Sequence, residues 1–257
     1  MDLEGCRCLV VGGSRHLGRE LALSVAAGGG AVIVSSRSLE SAQGTADSVD
    51  ALGRRAAAVT GDVGTRLDAH HLVRAAAQPF GGLDAVLFVA SGPFEPHPPQ
   101  EIDEQAWDAS MDVIARGLLF VAQAAREQFL SQTPRPGTGP LPAHAERGVI
   151  VAVTDVLAEK PAAAFAAHCA AKAAQLMLVR VLAKAWAAEG VRVCGVAPGA
   201  VDIGGDPRRK ATERAAARAP LGRLVLPSEV AAAVKLCISS AAMTGVNVPV
   251  DGGALLG

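Results

Sequence analysis

The chain contains no tyrosine, and aromatic residues of all kinds make up only 3% of its 257 positions. A phenol, which ionises at about 10, is therefore available nowhere as a proton donor. A disulfide framework is excluded as well. The five cysteines, Cys6, Cys8, Cys169, Cys194 and Cys237, are odd in number and widely scattered, which fits reduced thiols. Cys6 and Cys8 would share one strand face as small buried hydrophobes. No further ligands lie beside them and the six histidines lack metal spacing, so no metal site is expected. Charge of one sign is also missing. A formal net charge of −1 with no strongly basic or acidic block argues against a nucleic-acid or membrane-surface partner. No stretch approaches about 18 consecutive apolar residues, so no bilayer span is expected. The opening "MDLEGCRCLVVGG" is acidic where a signal peptide is basic. These absences lead to the expectation of a soluble, cytoplasmic protein.

What is present is a regular alternation. Half of the residues are apolar, enough for a large core in one domain spanning residues 1–257. Short β-branched runs at 6–12, 31–36, 56–63, 83–91, 147–154, 190–198 and 245–253 predict seven strands. Their near-continuous apolar character fits strands buried on both faces of a parallel sheet. Ala/Leu-rich segments at 16–28, 38–53, 65–79, 104–131, 162–188 and 227–241 predict helices. The pattern is a doubly wound, Rossmann-type α/β sheet with helices on both faces. "AAGGG" stops the first helix, and Ser38 and Ser228 are placed to cap others. The Pro/Gly-rich stretch 131–147 predicts an exposed, mobile loop. Residues 202–222 follow the sixth strand, at the edge where such sheets bind ligands, and predict a substrate lid.

Two places carry chemistry. "LVVGGSRHLGRE" (9–20) joins the first strand to the first helix through a Gly-rich turn, the geometry that brings backbone N–H groups to a pyrophosphate. "HCAAK" (168–172) puts a histidine and a lysine one turn apart on the same face of an alanine-rich helix.

These motifs resemble the short-chain dehydrogenase/reductase family along nearly the whole chain. Val11, Gly12 and Gly18 occupy positions of its TGxxxGxG fingerprint, with His16 in place of the middle glycine. "GDV" (61–63), "VAPGAV" (196–201), "PLGRLVLPSEVA" and "VPVDGG" match further landmarks. The resemblance implies a nicotinamide cofactor held by Gly12, Ser14, Arg15, His16, Leu17 and Gly18 in the turn. Arg37, Asp62, Val63, Ala90, Ser91, Gly92, Lys172, Pro198, Gly199 and Val201 would complete that site. NAD enzymes need an acidic residue at the end of the second strand for the ribose 2′-hydroxyl. Here "VSSRS" offers Ser35, Ser36 and Arg37. Arg15 and Arg37 suit a 2′-phosphate, so NADPH is the expected cofactor.

At the chemical end the family's YxxxK motif falls on 168–172. Lys172 is retained, but the tyrosine is His168, the serine is Asp155 with Thr154 beside it, and the asparagine is Ile114. The NNAG segment reads "FVAS" (88–91). Candidate catalytic residues are therefore Lys172, His168, Asp155 and Thr154. Reducing a simple ketone creates an alkoxide about as basic as hydroxide and benefits from a positioned acid. Hydride addition to a quinone gives a delocalised phenolate, which needs little proton donation. A histidine exchanges protons near neutrality, and Asp155 is expected to orient it as in an Asp–His pair. Lys172 would bond the nicotinamide ribose. Ala90, Ser91, Gly92, Pro93 and Phe94 predict a roomy apolar pocket for a small aromatic molecule. The expected activity is NADPH-dependent reduction of a quinone-like or aromatic polyketide carbonyl. A non-redox step (cyclase, dehydratase or isomerase type) and a non-catalytic NADP-binding protein remain open. The resemblance also implies a homotetramer.

Overall fold

A computed structural model describes residues 1, 3–133, 146–206 and 208–256. Seven parallel strands form one sheet in the order β3-β2-β1-β4-β5-β6-β7. The strands are β1 (Arg7–Val11), β2 (Ala31–Ser36), β3 (Ala56–Thr60), β4 (Ala85–Phe88), β5 (Gly148–Val153), β6 (Val191–Pro198) and β7 (Asn247–Val250). Side chains alternate across the pleat, so β1 feeds two cores. Cys6, Cys8 and Val10 pack with α1 (His16–Ala27), α2 (Leu39–Asp50) and α8 (Pro227–Ser239) on one face. Leu9 and Val11 pack with α3 (Arg66–Ala77), α5 (Gly117–Ser131) and α6 (Ala166–Trp186) on the other. Both faces being covered explains the continuous apolar strands. Chain order reverses between β1 and β4, which opens a crevice at the carboxyl edge of the sheet.

Several expectations are revised. The helix expected over 104–131 is broken into α4 (Glu104–Met111), a π-turn (Asp112–Arg116) and α5. Ser38 caps α2 by accepting from Ser41 N, but Ser228 caps nothing. Leu226 is the N-cap of α8 with Pro227 at the first turn, and the Glu229 carboxylate accepts from Leu226 N at 2.8 Å. Proline at that position needs no N–H partner, which places the cap two residues earlier than Ser228. The segment 202–222 is not wholly irregular, since it contains α7 (Arg209–Ala216). Of the stretch 131–147, residues 134–145 lie outside the described residues. Ala163–Glu189 is long and apolar enough to cross a membrane by composition, contrary to the expectation that no segment is. Within it α6 packs on β6 and buries a stripe that includes His168, Lys172 and Gln175, which makes it the amphipathic core helix of an α/β layer.

The amino ends of β1 and β4 are joined by an ion pair between the buried Asp84 carboxylate and the half-buried Arg7 guanidinium. Asp84 accepts from Arg7 N and Nε at 2.9 Å and from Nη2 at 2.8 Å. Removing one partner of such a pair strands the other. Asp84→Ala should therefore cost about 2 kcal/mol, on the order of the loss of a charge-assisted hydrogen bond. Urea denaturation monitored by circular dichroism reads this directly, and an unchanged midpoint would refute it.

Candidate active site

Apart from Lys172 on α6 and Pro198 at the end of β6, the residues expected to hold the cofactor follow the carboxyl ends of β1, β2, β3, β4 and β6. Gly12 has φ +82°, and a Cβ there would sit 2.9 Å from the Ala90 backbone. A Cβ on Gly18 would lie 2.1 Å from the Gly12 carbonyl oxygen. Only glycine permits this approach between the turn, the helix start and the end of β4. Thr45 Oγ1 donates to Ser14 O at 3.3 Å and pins the turn from α2. His16 takes φ +49°, a left-handed conformation that a side chain adopts at a cost. Helix α1 starts there with Arg15 as N-cap, no capping side chain and no acid in its first turn. Its first N–H groups and positive dipole end are thus left for an anion. A dinucleotide pyrophosphate fits this cradle.

Around it, Ser35 Oγ is turned into the sheet toward Val10 O at 3.4 Å, while Arg15 and Arg37 are exposed. Among the described residues neither guanidinium has an ion-pair partner, so both are free for a phosphate. Asp62 accepts from Val63 N and Gly64 N at 2.6 and 2.9 Å, folding the loop after β3 on itself. A Cβ on Gly92 would strike Ala109 O at 2.5 Å, so the chain leaving β4 runs tightly under α4. Gly199 donates to Val250 O at 3.0 Å, and Val201 bridges to Val225, holding Pro198–Val201 beside the crevice.

Three of the four candidate catalytic residues come together. His168 and Lys172 are buried on one face of α6, 6% and 4% exposed. His168 Nε2 lies 3.2 Å from Asp155 Oδ2, and Asp155 Oδ1 accepts from Leu157 N at 2.9 Å. A proton on Nε2 completes this bond, which leaves the buried Nδ1 with its lone pair and no partner. Lys172 Nζ donates to Val153 O at 2.9 Å and to Gln175 Oε1 at 3.1 Å. Burial pushes the ammonium down from 10.5 to about 8, partly opposed by the Asp155 charge. Thr154 is not part of the group. Its hydroxyl lies 3.0 Å from Val196 O and 2.7 Å from Asn247 Oδ1, tying β5 to β6 and β7.

Phe94, expected in the pocket, is joined by residues that sequence reasoning did not single out. Phe94 stacks on Phe165 with centroids 4.3 Å apart and tilts over His168 at 4.6 Å. Arg208, in the expected lid, lies over the Phe94 ring at 4.3 Å and donates to the Phe94 carbonyl. Beside His168 a cleft of about 360 Å³ runs between Phe165 and Ala167 on one side and Ile102, Ala106 and Ala109 on the other. Glu95, His97 and Asp103 also line it. Gln175 stands one turn beyond Lys172 on the same face, and that i, i+3 spacing was the signal available for it.

The buried ammonium has a consequence for stability. Its folded value of about 8 lies below its ordinary 10.5, so between these values the unfolded chain holds the proton and the folded chain has released it. Stability from this group must therefore rise as pH increases through that window. In Lys172→Met the rise should vanish, as read by melting temperature from pH 7 to 10. Parallel curves for the two proteins would overturn the assignment.

Comparison with known proteins places this arrangement. The short chain dehydrogenase family matches residues 7–214. The chain is 34% identical to cis-4-hydroxycyclohexanecarboxylate dehydrogenase of Sinomonas cyclohexanicum, covering 95% of this chain and 94% of that one. It is 33% identical to 3beta-hydroxysteroid dehydrogenase 1 of Eggerthella lenta, over 99% and 95% of the two chains. A short chain dehydrogenase from Burkholderia cenocepacia in complex with NADP superposes with a TM-score of 0.83 at 28% identity, over 99% of each chain. With the Gly-rich cradle and the seven-stranded sheet, these matches establish that the chain belongs to the short-chain dehydrogenase/reductase family of nicotinamide-dependent oxidoreductases.

Proposed function

We propose that this chain is an NADPH-dependent reductase of a quinone-like or aromatic polyketide carbonyl. The observation that carries the reading is the His168–Asp155 pair at 3.2 Å, standing where ordinary relatives place a tyrosine and a serine. With its N–H directed at a carboxylate, His168 does not offer a free acid to a substrate oxygen. An ionised Asp155 would repel a developing oxyanion rather than bind it. Such a site suits an acceptor whose reduced form is a delocalised anion. Bound NADPH supplies the hydride. Lys172 contributes fixed positive charge and orients the nicotinamide ribose, and the hydroquinone anion takes its proton from water after the reduction. Phe94, Phe165 and the apolar cleft wall favour a planar aromatic substrate. Arg15 and Arg37, with no acid at the end of β2, favour a 2′-phosphate.

The unpartnered His168 Nδ1 supports a second reading, proton abstraction in a non-redox step with the cofactor site kept for binding. One experiment separates the two. NADPH oxidation is followed with naphthoquinones, anthraquinones and aliphatic ketones, alongside NADPH and NADH titrations. The expected result is turnover of the quinones only, at least tenfold preference for NADPH, and loss of that preference in Arg37→Ala. His168→Phe should cost about tenfold, against the 10²–10⁴ typical of a general acid. Turnover of aliphatic ketones would refute the acceptor reading. Tight binding without oxidation would favour the second.

We further propose a homotetramer that covers α4 and α6. Trp107, Met177 and Val181 are 42%, 54% and 52% exposed there, more apolar surface than solvent-facing helices usually carry. Light scattering at micromolar concentration should give four times the chain mass, and a clean monomer would refute the assembly.

A further inference from the structure

Gln175 is fully buried in α6, on a stripe that carries His168 and Lys172 and is otherwise alanine, leucine and valine. A primary amide in such a place costs stability unless its polar atoms are bonded. Its partners are specific. Oε1 accepts from Lys172 Nζ at 3.1 Å, and Nε2 lies 3.5 Å from Ile114 O. Ile114 sits in the π-turn Asp112–Arg116, where the i+4 bonding of the long helix gives way to i+5. Val153 O, at the end of β5, accepts from the same ammonium at 2.9 Å. The lysine is thus held between a strand end and a side chain that is itself anchored to the π-turn.

We propose that Gln175 is the positioning residue for Lys172, fixing its ammonium between β5 and the π-turn so that one N–H remains for a ligand. An ammonium has three donors, and the two bonds named leave the third. A neutral amide suits this task better than a carboxylate. It holds the group by a dipole and does not cancel the positive charge that the site needs. The role of Lys172 toward the cofactor rests on the reading under Proposed function, whereas its positioning by Gln175 does not.

The charged groups around this ammonium are few. The turn after β5 presents Asp155, and α6 itself presents His168 one turn earlier. Asp112 and Arg116 of the π-turn pair with each other at 2.7 Å, and Glu104 and Asp108 of α4 are exposed. Changes at position 175 should therefore be read by Lys172 before any other group. Loss of a bond to the charged form disfavours it, while a carboxylate in its place favours it.

Two variants and two measurements test this. The first measurement is melting temperature against pH in the free protein. Its rise should begin near pH 8 in the unaltered chain, following the value of about 8 for Lys172. It should begin at lower pH in Gln175→Met and at higher pH in Gln175→Glu. The second is the NADPH dissociation constant by fluorescence, expected to weaken about tenfold at pH 7 in Gln175→Met and to recover in part in Gln175→Glu. A purely structural role would lower the melting temperature of both variants at every pH without moving the onset, and that result would overturn the proposal. Should the onset move as expected while NADPH binds to none of the proteins, positioning stands and the cofactor reading falls. If Gln175→Met does not fold, an unmoved onset in Gln175→Glu alone is enough to reject the proposal.

Discussion

The bond from the Lys172 ammonium to the Val153 carbonyl joins the longest helix of the molecule to the end of a central strand. Most of the site is registered from that point. His168 lies one turn back along α6, Asp155 two residues beyond the strand, and Gln175 one turn forward against the π-turn. Each would lose its alignment if the helix slid or rotated on the sheet. A buried ammonium is an expensive anchor, and the depressed protonation value of Lys172 records that cost. The fold tolerates it because neutral acceptors arrive from two directions, with Asp155 adding attraction at longer range.

The sheet was legible because its physics is local. Cys8 and Val10 alternate with Leu9 and Val11 between two cores, and a run with no polar face can only be a strand covered on both sides. The glycine cradle was legible for a similar reason, since Gly12 and Gly18 are demanded by approaches that any Cβ would block. Helix punctuation was less so. Ser228 offered a good capping side chain, yet Pro227 took the first helical position and Glu229 reached back to the chain before it. The break at Asp112–Arg116 left no signal, since "DVIAR" reads as a continuation of the helix on either side of it.

At the site, the sequence placed His168, Lys172 and Asp155 by spacing and likeness, and the three do meet. Thr154 was misjudged because adjacency along a strand says nothing about which face a hydroxyl takes. It faces Asn247, nearly a hundred residues away in the chain. Phe94 and Arg208 meet from loops far apart in sequence, a contact that no periodicity encodes. Gln175 was open to detection, since a lone amide in an apolar stripe asks for a buried partner, and Lys172 stood three residues before it.

The Arg208 guanidinium over Phe94 makes access and recognition one equilibrium. Phe94 tilts over His168 and is also the aromatic face on which Arg208 rests. A molecule that displaces the ring must give Arg208 another π-surface or carbonyl, or forfeit that contact. Aromatic ligands can repay the ring contact with a π-face, which aliphatic ones lack. Selectivity would then be exercised at entry, by which ligands leave Arg208 no worse off once the Phe94 ring is displaced.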